Sequence, residues 1–157
     1  ELKTLQSSSI VLDALPEFKE DLMKAETILY IADNYEEALF DKFLLKELSS
    51  KKTLFAVRSA PVYNDITYQD AINLGINEIC PVIESGSTIA GTDISQNTPG
   101  FNHAFDNSDV VIAKGQGNFE TLMSVKRPIY FLFKVKCEVI SRRCGSPTGA
   151  GVLYLKT

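Results

Sequence analysis

The sequence predicts an α/β fold, a three-layer α/β/α sandwich around a Rossmann-like, mostly parallel sheet. Three observations carry this. Short apolar runs rich in β-branched and aromatic residues recur along the chain. Helical patterns lie between them. No polar residue interrupts most of the runs, as strands covered on both faces require. Alternation of such strands with helices implies a parallel sheet with helices on both sides.

The elements follow in order. Leu15–Ala25 reads as a helix with Pro16 in its first turn, where the missing N–H costs nothing. Thr27–Ala32 is the first apolar run and ends at Asp33. Glu36–Leu48 reads as a helix whose stripe is Ala38, Leu39, Phe43, Leu44 and Leu48. Thr53–Val57 is the second run. Thr67–Leu74 is a helix with Thr67 as N-cap and an acidic first turn. In Glu78–Ile83, Pro81 interrupts the run, which marks an edge or a strand end. Asp109–Ala113, Pro128–Phe133 and Gly151–Leu155 are further strands, with short helices at Phe101–Phe105 and Asn118–Met123. Ser7–Ser9 reads as a frayed lead-in.

The 157 residues fit one domain, 1–157, with a single core. No apolar run is long enough to cross a bilayer, and no signal sequence opens the chain. The absence of an initiator Met suggests the C-terminal part of a longer protein. A net charge of −4 argues against nucleic acid as a partner, because phosphate backbones need clustered Lys and Arg. Cys80, Cys137 and Cys144 are an odd number without CxxC spacing, which suits reduced thiols in the cytoplasm. The single histidine, His103, leaves little for a zinc site and reads as a surface or helix residue.

In parallel sheets, ligands bind beyond the carboxyl ends of the strands. The polar residues after each run are therefore the candidates. After the first run stand Asp33, Asn34, Glu36 and Glu37. After the second stand Arg58, Asn64 and Asp65, then Asp70. Later strand ends bring Lys114, Gly115, Asn118, Lys134 and Lys136. Carboxylate and amide oxygens suit a hard divalent cation. Lysines and free backbone N–H groups suit phosphate. Spacing alone also allows plainer roles. Asp33 and Asn34 fit a helix cap, Asn64-Asp65 a turn, and Gly115-x-Gly117 a tight strand-to-helix connection. The glycine segment is neither a Walker loop nor a dinucleotide fingerprint. No second Asp stands two residues after Asp33, so the aspartyl-nucleophile pattern is absent.

These clusters, in this order, resemble the damage-control phosphatases, formerly domain-of-unknown-function family 89. The residues carrying the likeness are ILYIADNYEEALFD (28–41), APVYNDITYQDA (60–71), SDVVIAKGQGNFETL (108–122) and FKVKCEVI (133–140). The resemblance implies a metal-dependent phosphatase acting on small phosphorylated metabolites, including sugar phosphates and damaged or glycated esters. It implies one divalent cation (Mg, Mn, Co or Ni) on Asp33, Asn34 and Asp70. Asp33, Glu37 and Asp70 are then the candidate catalytic residues. Lys136 would contact the phosphate, and Asn64, Asp65, Lys114, Gly115 and Asn118 would line the substrate pocket.

The chain departs from the family twice. Its first motif reads Asp-Asn-Tyr-Glu-Glu where the family writes Asp-Asn-Ala-Gly-Glu. Glu36 therefore repels phosphate if it points inward, or acts as a favourable first-turn acid if it points outward. The helical N-terminal subdomain that family members carry, expected to pack on this domain, has no counterpart here. Three alternatives compete: an inactive phosphometabolite-binding module, a carboxyl methyltransferase, for which no glycine motif marks an adenosine pocket, and a Rossmann-like domain serving assembly.

Overall fold

A computed structural model describes residues 10–157; the Ser7–Ser9 lead-in lies outside them. Along the chain run β1 (Ile10–Val11), α1 (Leu15–Lys24), β2 (Thr27–Ile31), α2 (Tyr35–Glu47), β3 (Lys52–Val57), α3 (Tyr68–Asn73), β4 (Val82–Glu84), α4 (Pro99–Asn107), β5 (Val110–Lys114), α5 (Gly115–Leu122), β6 (Ile129–Lys134), α6 (Glu138–Cys144) and β7 (Gly151–Lys156). The described strands form one sheet in the order β1-β7-β6-β5-β2-β3-β4. Every pairing is parallel except β6 with β7. The α/β expectation holds. The two-residue strand β1 is an addition too short for any apolar pattern to reveal.

The chain leaves β2 toward β3 and β4 on one side, and β5 and β6 continue on the other. The order reverses between β2 and β5, so a crevice opens at their carboxyl ends. Helices cover both faces. Tyr30, Phe55 and Val57 pack with Phe18 of α1, Ala38 and Leu45 of α2 and Ala71 of α3. Leu29, Ile31 and Phe131 pack with Phe101 of α4, Phe119 of α5 and Ile140 of α6. Among the described residues no helix is long and apolar enough to cross a membrane.

Pro81 precedes β4 at the sheet edge, as its missing N–H demands, and lends only its carbonyl to Phe55 N. Helix α2 differs from its predicted stripe. Its buried residues are Ala38, Asp41 and Leu45, followed by Leu48, while Leu39, Phe40 and Phe43 are 49%, 73% and 69% exposed. Apolar residues occur all round this helix, so counting them does not select the inward face. Asp41 enters that face because a cation meets it there.

Phe119 is fully buried, with Phe131, Phe133 and Tyr154 ring centroids 5.2, 4.6 and 5.5 Å away. Phe119→Ala should destabilise the protein by about 3–5 kcal/mol. Urea unfolding checks this; a loss under about 1 kcal/mol would contradict the packing.

Candidate active site

The site grows from the end of β2. Ala32 N donates to Ala56 O, continuing the ladder one residue past the strand. The loop after β3 then folds back. Ile66 N donates to Asp33 O, and Tyr35 N to Asn64 O, both at 2.8 Å. Asn34 and Asp65 form an isolated antiparallel bridge. Backbone thus clamps the Asp33-Asn34 pair from the β3 side. Asn34 occupies the N-cap position of α2 but makes no capping bond. Its Nδ2 donates instead to Glu37 Oε1 at 3.3 Å, and its Oδ1 accepts no hydrogen bond among the described residues.

Arg58, directly after β3, is 2% exposed. Its Nε donates to Asp65 Oδ2 at 2.7 Å, and a terminal nitrogen lies 3.8 Å from Asp33 Oδ1. Its terminal nitrogens also reach Thr92 Oγ1 at 3.4 Å and Asn118 Oδ1 at 3.3 Å. Asn118 in turn donates to the carbonyls of Ala32 and Lys114, at 3.1 and 2.7 Å. One buried guanidinium and one buried amide therefore tie together the ends of β2, β3 and β5. Burial and the charge of Asp65 push the Asp33 carboxyl up to about 6; Arg58 offsets only part of this.

On the other side of Asp33, Gly115 opens α5 with φ +80. A Cβ there would stand 2.0 Å from Asp33 Oδ2, so only glycine admits this approach. Lys114 Nζ donates to Glu37 Oε2 at 3.0 Å and to Asp41 Oδ1 at 2.8 Å. Burial opposes its charge, but Asp41 and Glu37 outweigh that and raise its pKa. Asp33, Glu37, Lys114, Gly115 and Lys136 all border a cavity of about 350 Å³. Lys136 is exposed, and its backbone N–H is held by Gln116 Oε1 at 2.9 Å. A second cavity of about 400 Å³ lies at the amino edge of the sheet beside His103 and Cys80; its lining contains no carboxylate.

Half of the expected residues converge on the cavity; Asn34 and Asp70, two of the three expected metal ligands, are not among its lining. Asp33, Glu37, Lys114, Gly115 and Lys136 meet at the cavity. Asp70 sits in the first turn of α3, where its Oδ2 accepts from Thr67 N at 3.0 Å and Thr67 Oγ1 at 2.6 Å. Its Oδ1 makes no hydrogen bond among the described residues. Three of the expected pocket residues do not face the cavity. Asn118 is wholly buried and its amide is spent on internal partners, so it braces the strand ends. Asp65 is 8% exposed and paired with Arg58. Asn64 donates to Glu36 Oε2 at 3.2 Å. That bond also sets the direction of Glu36: its carboxylate reaches to the loop after β3, away from the cavity wall. The sequence offers Arg58 as a strand-end residue without giving it a role, and does not single out Asp41. Arg58 follows an apolar strand with a cation, as Lys114 and Lys134 do at theirs, and Asp41 alone puts a charge at the 38–41–45–48 spacing. Those were the available signals.

The expected donors, Asp33, Asn34 and Asp70, are of the chemical kind that a hard cation takes. Asp33 carries a carboxylate that its neighbours leave under-compensated. Asn34 Oδ1 and Asp70 Oδ1 are oxygens without internal partners. Among the described residues no three His, Cys, Asp or Glu side chains gather at ligand distance. The expected set holds two carboxylates and an amide, which suits a site completed by water or substrate oxygens.

A sheet switch point holding the buried Asp33 beside a half-buried amide, a positive-φ glycine and two lysines defines an α/β protein with a charged crevice at its strand ends. Comparison with known proteins narrows the class. Residues 1–152 match the damage-control phosphatase ARMT1-like domain, and the chain belongs to that family. It is 36% identical over 154 residues to the damage-control phosphatase PH1575 of Pyrococcus horikoshii, covering 96% of this chain and 54% of that protein. It is 30% identical over 126 residues to a damage-control phosphatase of Archaeoglobus fulgidus, covering 78% of this chain and 44% of the relative. The crystal structure of the Pyrococcus protein, described as a DUF89 family member, superposes with a TM-score of 0.90 at 35% identity, covering 98% of this chain and 55% of that one. The chain thus spans about half the length of these relatives.

Proposed function

We propose that this domain hydrolyses small phosphorylated metabolites, sugar phosphates or damaged and glycated phosphate esters, with one divalent cation (Mg, Mn, Co or Ni). The observation that carries the reading is the under-compensated Asp33 carboxylate facing a cavity that also presents Lys114 and Lys136. The names of the relatives point the same way. Asp33, Asn34 and Asp70 would hold the cation, which when bound supplies Lewis-acid activation and a template for an in-line displacement. Lys136 and the N–H groups opening α5 would take the phosphate oxygens. Lys114 would add a second cation to the same wall. Glu37 or Asp33 would orient the attacking water. Glu36, bonded to Asn64, adds no charge to that wall, which favours the active enzyme over a binding-only module. The exposed Leu39, Phe40 and Phe43 of α2 offer an apolar face for the helical subdomain that the resemblance implies.

Phosphate release from a panel of sugar phosphates with Mn²⁺ tests the activity. Asp70→Ala should lower kcat/KM at least about a hundred-fold, because a ligand and a helix cap go together. Circular dichroism verifies that the variant is folded. Unchanged turnover in metal-loaded Asp70→Ala would reject the ligand assignment.

A further inference from the structure

We propose that Asp41 is the positioning residue for Lys114, holding the ammonium at the cavity from behind while Glu37 gives way to the substrate. The inference rests on the phosphate-binding reading of this cavity. Asp41 lies one helical turn from Glu37, so both reach the same lysine, at 2.8 and 3.0 Å. Their environments differ sharply. The Glu37 side chain is 49% exposed at the cavity lip, whereas that of Asp41 is 7% exposed. A solvated carboxylate exchanges its partner for an incoming anion at little cost, but a buried one does not, because it would be left unpaired in a low dielectric.

The placement of Asp41 is otherwise unexplained. It stands on the inward face of α2 among Ala38, Leu45 and Leu48, where an apolar residue would pack without desolvating a charge. Asp41 Oδ2 and the buried Tyr30 hydroxyl are close enough to interact, yet neither makes a hydrogen bond of ordinary geometry among the described residues. Buried polar atoms left in this state are uncommon and call for a role. Lysine supplies a mobile point charge on a flexible stem, so its aim depends on a fixed anion. Asp41 is that anion. Lys114 Nζ has three N–H donors. One stays on Asp41, and the other two turn to phosphate oxygens when Glu37 releases its share.

The test is a double-mutant cycle read by calorimetric binding of inorganic phosphate in the presence of Mn²⁺. Asp41→Asn should weaken phosphate binding about tenfold, on the scale at which loosened positioning acts. Lys114→Met should do the same, and the double variant should bind no worse than Lys114→Met alone. Where the protein turns over para-nitrophenyl phosphate, Asp41→Asn should raise KM about tenfold with kcat within about threefold, the mark of lost uniform binding. Unchanged affinity in Asp41→Asn overturns the proposal, and so does full additivity in the double variant, which would show a purely structural residue. If Asp41→Asn alone does not fold, Lys114→Met with and without it decides: equal affinity supports the proposal and a further drop overturns it. A wild type that binds phosphate without releasing it from any ester would refute the phosphatase reading, yet leave this cycle decisive.

Discussion

Asp33→Asn should abolish phosphate-ester hydrolysis and, in the same molecule, stabilise the metal-free protein. The first effect follows from the loss of an anionic oxygen donor. Metal-borne charge stabilisation is worth several kcal/mol, so kcat/KM should fall roughly a thousand-fold or more. The second follows from burial. The Asp33 carboxyl titrates at about 6 in the fold against an ordinary 3.8. The folded state therefore binds this proton more tightly than the unfolded chain does. Stability from this group is fully present below pH 3.8 and lost as pH rises through about 6. A shift of about two pH units corresponds to about 3 kcal/mol at most, and the neutral amide escapes that loss. The value of about 6 already includes the offset from Arg58, and relaxation around the charge lowers the penalty further, so a gain of about 1–3 kcal/mol is expected above about pH 6. Thermal unfolding in EDTA from about pH 4 to about pH 8 should show the Asp33→Asn variant ahead at the alkaline end and level with wild type at the acid end. A variant less stable than wild type at the alkaline end would mean that the Arg58 contact outweighs burial.

Gly115→Ala should be nearly as damaging by a different route. The new Cβ would lie 2.0 Å from Asp33 Oδ2 and 2.2 Å from its Cγ, a distance no packing tolerates. The backbone at φ +80 adds strain of its own. Together these should cost about 2–5 kcal/mol, with the carboxylate driven from its pose and activity lost. The two terms separate experimentally. In an Asp33→Ala background the collision disappears and only the strain, about 1–2 kcal/mol, remains. Urea unfolding of the four proteins measures the coupling. Equal penalties in both backgrounds would show that Asp33 does not set the glycine requirement.

Much of this site was legible along the chain. The run Thr27–Ala32 delivers Asp33 to a strand end because its length and apolarity match a doubly covered strand. Thr67 and Asp70 form a capping box because their three-residue spacing suits reciprocal bonds at a helix start. Less legible were roles that depend on which way a side chain turns. Asn64 and Asp65 stand in the expected loop and Asn118 in a helix, yet each is claimed by a protein partner. Helix α2 shows the same limit, since an apolar circumference does not choose its buried face.

The sequence by itself determined the α/β class, the order of strands and helices apart from β1 and α6, and the strand-end positions of Asp33, Asn34, Lys114 and Lys136. Those features depend on local periodicity and on residues a few positions apart. Tertiary structure decided the pairs that make the site electrostatic. Lys114 meets Asp41 across 73 residues, and Arg58 meets Asn118 across 60. It also set Gly115 against Asp33 and turned Glu36 away to Asn64. Such contacts depend on which strands become neighbours and which helix face turns inward, and both are settled by burial of the whole core.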